Sequence, residues 1–296
     1  MPPGELDAGA GRQIAFERNR ATLVGNARLI AIVGFTERPS EGSLHSSAAS
    51  GGKACMQTVS GTLPPAAMAT LQESGFVVLE GPYPVEQFGL VADAYDAEVG
   101  AAVGDDIRIG STSTRVVDFV NRGPLFDPLY IYPPLLDAAA QIVGGPFKLS
   151  SLNARTLRPG SEVLDIHVDV KRDSTDWPLL GFILMIDAFT PDNGATRFVP
   201  GSHHWGDPPR DGRMQEYTAR LVSACGPAGS LLVFNGSTWH GQGINGSNRS
   251  RRSLQGAFIP RGGRAMTDFC RRMSSETRAR LGSIAHQVLA VPSSSV

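Results

Sequence analysis

A β-sandwich or closed β-barrel, entered through a short helical segment, is the fold class this sequence predicts. Three observations predict it. From residue 147 onward, short apolar stretches alternate with Gly, Pro and Asn turn signals, the rhythm of an all-β unit. Before that point the apolar residues recur at helical spacing. Finally, Val163-Leu164-Asp165-Ile166-His167-Val168-Asp169-Val170 alternates as a strand does: Leu164, Ile166, Val168 and Val170 would face one side, and Asp165, His167 and Asp169 the other.

Taken in order, residues 1–58 are dominated by Gly, Ala and Ser and have no periodic apolar face. Such a segment has little to bury and is expected to be a flexible N-terminal extension, with a short docking strand at 28–34 as the rival reading. Residues 59–296 are expected to form a single domain. Pro64 and Pro65 suit a first helical turn, so Ala66–Ser74 is a helix. Gly75–Gly81 is a short strand. Val85–Val99 returns to helix, with Val85, Phe88, Val91, Ala92 and Tyr95 on one stripe. Residues 104–130 are rich in turn formers and carry Arg108, Arg115, Asp118 and Arg122, a loop with short strands that could wall a pocket. Leu135–Val143 is an apolar helix stopped by Gly144-Gly145-Pro146.

The β portion opens with a strand at Phe147–Leu157 and a turn at Arg158–Ser161. The His167 strand follows, then a buried strand over Leu179–Phe189. Pro191-Asp192-Asn193-Gly194 signals a hairpin returning through Ala195–Val199. Residues 206–219 form a surface loop, Ser230–Phe234 a buried strand and Arg251–Ile259 the last strand. A terminal helix near 274–290 takes Ser274 as its N-cap.

Composition narrows the function. The chain has 296 residues and a formal net charge of -1, so no cationic excess is present to neutralise phosphates, and nucleic-acid binding is not expected. No apolar run approaches the roughly 20 residues of a membrane span, and no membrane association is expected. Cys55, Cys225 and Cys270 are scattered and odd in number, which fits a reducing compartment. A soluble cytoplasmic protein is the expectation.

His167 and Asp169 share a strand face, and imidazole with carboxylate suits a first-row metal; an edge strand with a wet polar face is the plainer alternative. His240 follows the 230–234 strand within Asn235-Gly236-Ser237-Thr238-Trp239-His240-Gly241, where it either caps the strand end or completes a metal site. Arg251 lies eleven residues further on (251 − 240 = 11) in the run Arg249-Ser250-Arg251-Arg252. On a strand Arg251 and Arg252 must face opposite ways, one inward and one toward solvent.

In this order, His167-x-Asp169, His240 and Arg251 resemble the phytanoyl-CoA dioxygenase (PhyH) family of iron(II)/2-oxoglutarate oxygenases. Thr190–Gly201 with Ser202-His203, and Gly229–Phe234 leading to Trp239-His240-Gly241 and Asn245, look like that family's central segments. The resemblance covers roughly residues 63–290. It implies a double-stranded β-helix, a jelly-roll barrel flanked by helices. It implies iron(II) held by His167, Asp169 and His240, with 2-oxoglutarate and O2 as co-substrates, and a reaction that oxidises a small organic molecule while 2-oxoglutarate becomes succinate. Arg251 would hold the far carboxylate of 2-oxoglutarate, with Asn153 and Thr196 as further contacts. The sequence departs from the family in carrying Leu164 rather than glutamine three residues before His167. Asp169 itself argues against halogenation, because halogenating relatives lack that carboxylate. A non-catalytic jelly-roll binding module is the alternative.

Overall fold

Leu180–Met185 (β5) and Leu231–Asn235 (β8) are buried at every position, and a sheet with both faces covered explains such unbroken apolar runs. The structure, a computed structural model, describes residues 61–161, 166–172, 179–209 and 213–292. The extension expected at 1–58 lies outside these, as do Leu164, Asp165, Asp173 and Trp177. All described residues fall in one compact unit.

Helix α1 (Pro65–Ser74) begins on a proline and stops at Gly75, whose φ of 85° reverses the chain into β1 (Phe76–Leu79). Helix α2 (Phe88–Ala101) buries Phe88, Val91 and Tyr95 as the stripe predicts. Val85 is exposed instead, because residues 85–87 form a separate tight turn before the helix axis is set. Strands β2 (Ile107–Ile109) and β3 (Ser113–Val116) form a hairpin, and α3 (Asp127–Tyr130) and α4 (Pro133–Val143) follow. Strand β4 (Phe147–Leu157) then crosses the molecule.

Seven strands form the large sheet in the order β1-β8-β5-β10-β4-β3-β2, with β10 spanning Arg251–Pro260. A small sheet has the order β7-β6-β9, with β6 at Thr196–Phe198, β7 at Val222–Ser223 and β9 at His240–Gln242. His167 adds a single rung beyond β9 by pairing with His240.

Alternation along the large sheet sorts its two faces. Leu152, Ala154, Phe182, Leu184, Leu231, Val233 and Leu254 face the helices in the main core. Ile183, Met185, Leu232 and Phe234 face the small sheet, where they meet Phe189, Ala195 and Phe198. Phe76 from the large sheet stacks on Phe198 from the small one at 4.3 Å. Each such ring contributes about 1.5–3 kcal/mol by burial, so the interior between the sheets is held closed at this end.

Three expectations change. The strand at 163–170 is reduced to the His167 rung among its described residues, since the N–H groups of both Asp169 and Val170 converge on the carbonyl of Gly236. A regular ladder cannot aim two successive N–H groups at one acceptor. The Pro191–Gly194 turn does not join paired strands: β5 and β6 belong to different sheets, and the turn carries the chain between them. Gly194 supplies its positive φ of 85°. The terminal helix is split into α6 (Ser275–Arg280) and α7 (Ser283–Leu289), preceded by a short α5 (Phe269–Arg272), with extended backbone at Leu281 and Gly282. Ser274 does cap α6, accepting a bond from the Thr277 N–H at 3.0 Å.

Candidate active site

His167 and His240 are backbone partners before they are anything else. The N–H of each donates to the carbonyl of the other at 2.9 Å, which sets their rings 4.5 Å apart. Asp169, two residues on, is fixed through its N–H to Gly236 at 2.8 Å. Its Oδ1 lies 3.8 Å from His167 Nε2 and 3.7 Å from His240 Nε2. One ligand atom from each of the three residues falls within 4.8 Å of the others, so a single ion can touch all three. Two imidazoles and a carboxylate are the donors that suit iron(II) and leave coordination positions open. The residues present therefore fit a non-haem iron centre.

The second histidine is the more constrained. His240 is buried between Phe198 and Phe234, at 5.5 and 4.9 Å. Its Nδ1 donates to the Thr238 carbonyl at 2.7 Å, which leaves the Nε2 lone pair directed at Asp169. Burial pushes its pKa down, while the Asp169 carboxylate opposes the shift. The ring is thus kept neutral, the state a metal requires. His167 and Asp169 are exposed, so the centre opens to solvent on their side.

The Pro-Gly-Ser-His turn aligns this segment. Ser202 Oγ accepts the Trp239 N–H at 2.8 Å, and Val199 N–H donates to the Trp239 carbonyl at 2.9 Å. His203, wholly buried, donates from Nε2 to the carbonyl of Gln72 in α1 at 2.9 Å. It serves the scaffold, joining this turn to α1.

Arg251 is on the inner face, 2% exposed, with its guanidinium 4.0 Å from the ring centre of Phe189. Its Nε and Nη1 are enclosed without an acceptor among the described residues. Burial first, and the Arg155 charge second, bring its pKa down to about 9, so it stays charged at neutral pH. Arg252 points outward and bonds Asp187 at 2.7 Å and Asp96 at 2.6 Å. Thr196 is buried on β6 opposite Gln242. Asn153 lies on the inner face of β4, but its Oδ1 accepts the N–H of Asp118 at 3.2 Å, bracing a residue whose φ is 66°. Asn245 is wholly buried and donates to the Leu157 and Arg249 carbonyls, tying β4 to the loop ahead of β10.

Two polar residues of this interior escaped the sequence reading. Arg155 follows Asn153 by two positions, hence on the same face, and donates to the Gln242 amide oxygen. Gln242 follows His240 by two positions on β9. Period-2 counting from residues already chosen was the available signal.

Residues 71–253 match the Phytanoyl-CoA dioxygenase (PhyH) family. The chain belongs to the phytanoyl-CoA dioxygenase family. It is an iron(II)- and 2-oxoglutarate-dependent dioxygenase, as the resemblance in its motifs implied. Among similar PhyH-like proteins, dioxygenase trt7 of Aspergillus terreus is 29% identical over 215 residues, 67% of this chain and 73% of the relative. The multifunctional dioxygenase prhA of Penicillium brasilianum is 26% identical over 231 residues, 68% and 74%. The fold is that of HygX from Streptomyces hygroscopicus, solved with nickel and 2-oxoglutarate (TM-score 0.57, 16% identity, 68% of this chain and 88% of that one). It is likewise that of EctD from S. alaskensis, solved with iron (TM-score 0.58, 18% identity, 67% and 77%). The double-stranded β-helix is thereby established, and the non-catalytic alternative is disfavoured. No helix among the described residues is long and apolar enough to cross a membrane.

Proposed function

We propose that His167, Asp169 and His240 hold the iron(II) of this dioxygenase, that Arg251 receives the far carboxylate of 2-oxoglutarate, and that the oxidised substrate is a small organic molecule. The observation that carries the assignment is the convergence of three donor atoms within 4.8 Å on residues from two paired segments, with a buried arginine on the same barrel interior whose Nε and Nη1 meet no acceptor among the described residues. With iron(II) held there, O2 would be the oxidant: 2-oxoglutarate would lose CO2 and take one oxygen atom as succinate, and the other would be available for attack on a substrate C–H bond. The protein's own part is positional. The mutual backbone bonds of His167 and His240 hold two ligands in register, the Thr238 carbonyl orients the His240 ring, and Phe198 and Phe234 keep water from its buried side.

The small-molecule reading draws support from a likeness to HygX, one structure of which contains hygromycin B. Lys171 and Arg172 follow the ligand segment and reach the 204–207 region, through Asp207 and the His204 carbonyl, so these loops border the exposed side of the centre. We assign residues 59–296 to one oxygenase domain, with cytoplasmic location and no nucleic-acid partner as part of the same reading. Anaerobic addition of iron(II) and 2-oxoglutarate tests the centre. A weak visible charge-transfer band is expected for the native chain, and its loss in His167→Ala and His240→Ala while the circular dichroism spectrum is kept. A full band and full turnover in either variant sink the ligand assignment.

A further inference from the structure

Arg251 has company. The β4–β10 register sets Arg251 opposite Leu157 and Ser253 opposite Arg155, so the two arginines are diagonal neighbours on adjacent strands. Such neighbours lie roughly 7–8 Å apart along the backbone, within reach of long side chains. Arg155 Nη2 donates to Gln242 Oε1, which turns the Gln242 amide nitrogen the other way. The result is a set of enclosed donors: Arg251 Nε and Nη1, Arg155 Nε and Gln242 Nε2, none with an acceptor among the described residues. The nearby Asp187 carboxylate is engaged by Arg252 on the outer face. Further along the same face, Arg115 stands opposite Arg155 and Arg108 opposite Arg115, which adds positive charge and no acceptor.

Enclosed donors without acceptors are costly, and two cations side by side without an anion are more so. Both costs vanish if a carboxylate, which is acceptor-only, enters the space between them. Position supports the same ligand. Gln242 shares the face of His240 and lies two strand residues beyond it, roughly 6.6 Å along β9. That rise is comparable to the length of a five-carbon diacid whose near end would meet the metal ligands.

We infer that Arg155 and Gln242 are specificity-determining residues for the co-substrate, forming with Arg251 a donor-only cage that closes on the far carboxylate of 2-oxoglutarate. The inference rests on the reading of Arg251 given above and extends it to a second cation and an amide. It also makes the ligand-free protein an electrostatically strained one. Desolvation, followed by the charge of Arg115, draws the Arg155 pKa down to about 10, the sign expected of a cation lacking its counter-ion. Removing Arg155 should therefore weaken diacid binding without lowering the stability of the empty protein.

The test uses the full chain stripped of metal, with glutarate as probe, because glutarate has both carboxylates and no keto oxygen. Calorimetric titration and thermal unfolding are read for the native chain, Arg155→Met, Arg155→Lys, Gln242→Leu and Arg251→Gln. Glutarate is expected to bind the native chain and raise its melting temperature. Arg155→Met should bind roughly 10- to 150-fold more weakly and melt, when empty, no lower than the native chain. Arg155→Lys, which keeps charge but not the fork, should also bind more weakly, and it decides the matter if the methionine variant does not fold. Native glutarate affinity in the Arg155 variants or in Gln242→Leu, with affinity lost in Arg251→Gln, overturns this inference alone. Native affinity in Arg251→Gln as well overturns the assignment of Arg251 on which it rests.

Discussion

Arg251 and Arg252 are chemically identical and differ only in which side of β10 they occupy, yet one ends in a dry interior and the other in an ion-pair network. Alternation required the division and the eleven-residue offset from His240 chose the inward member; the structure agrees on both points. Removing one partner of a buried charge pair costs about 2–5 kcal/mol, equivalent to roughly 30-fold to several-thousand-fold in affinity. Arg251→Gln is predicted to raise the 2-oxoglutarate concentration for half-maximal turnover by that order under saturating iron. Arg252→Gln should leave that concentration nearly unchanged and lower stability by about 1–2 kcal/mol. The opposite pattern would place the inward face of β10 one residue out of register. The cluster of His167, Asp169 and His240, proposed to hold the metal, was legible because it consists of rare residue types in fixed order. Arg155 was not: an arginine on a strand reads as a solvated residue unless the strand's inner face is already known, and that face depends on a pairing partner about 100 residues away. Asn153 was chosen from the same strand, and its carbonyl oxygen is spent on the Asp118 backbone.

At the scale of elements, strands and helices whose signals are local were legible and the connections between them were not. β4 runs over Phe147–Leu157 as its alternation and flanking turns require, and α4 stops where Gly144 permits a left-handed residue. The Asp192-Asn193-Gly194 turn was recognisable as a turn, but nothing local says whether the strands beside it pair with each other or with strands far along the chain. The Pro-Gly-Ser-His turn shows a further long-range dependence, because His203 is fastened to α1 more than a hundred residues earlier. Its burial lowers the imidazole pKa to about 4. The sign of the consequence is definite. Above about pH 6.5 the ring is neutral whether folded or unfolded and has no effect. Below that value the unfolded chain takes up a proton that the folded one refuses, so stability falls until the pH reaches about 4. Urea midpoints at pH 7 and pH 5 are predicted to differ more for the native chain than for His203→Gln. Equal differences in the two proteins would remove His203 from the acid sensitivity of this turn.

Across the whole molecule, the two sheets and their helical cover follow from residues 61–292, and the family match begins at residue 71. A chain starting at Met56 is predicted to remain soluble, to bind iron and 2-oxoglutarate, and to turn over normally, because residues 1–55 have no periodic apolar face to contribute to a core. Precipitation of that shortened chain, or loss of turnover by a folded one, would give the leading segment a working role. The fold class was readable from strand rhythm, but the closing of two sheets into a barrel became readable only through the ordered motifs, since closure is a property of strand pairs distant in sequence. The mutual bridge between His167 and His240 carries that distance into biosynthesis. Seventy-three residues separate the two histidines (240 − 167 = 73). At the ribosome's pace of about 5–20 residues per second, His167 and Asp169 therefore emerge roughly 4–15 seconds before the strand that must hold them in register. During that interval they are two loose donors on an unpaired segment, with no more claim on iron than any other His and Asp in the cell. On the proposed ligand assignment, metal loading is thus a late event in the life of each new molecule, and a chain terminated anywhere before His240 would lack the third donor.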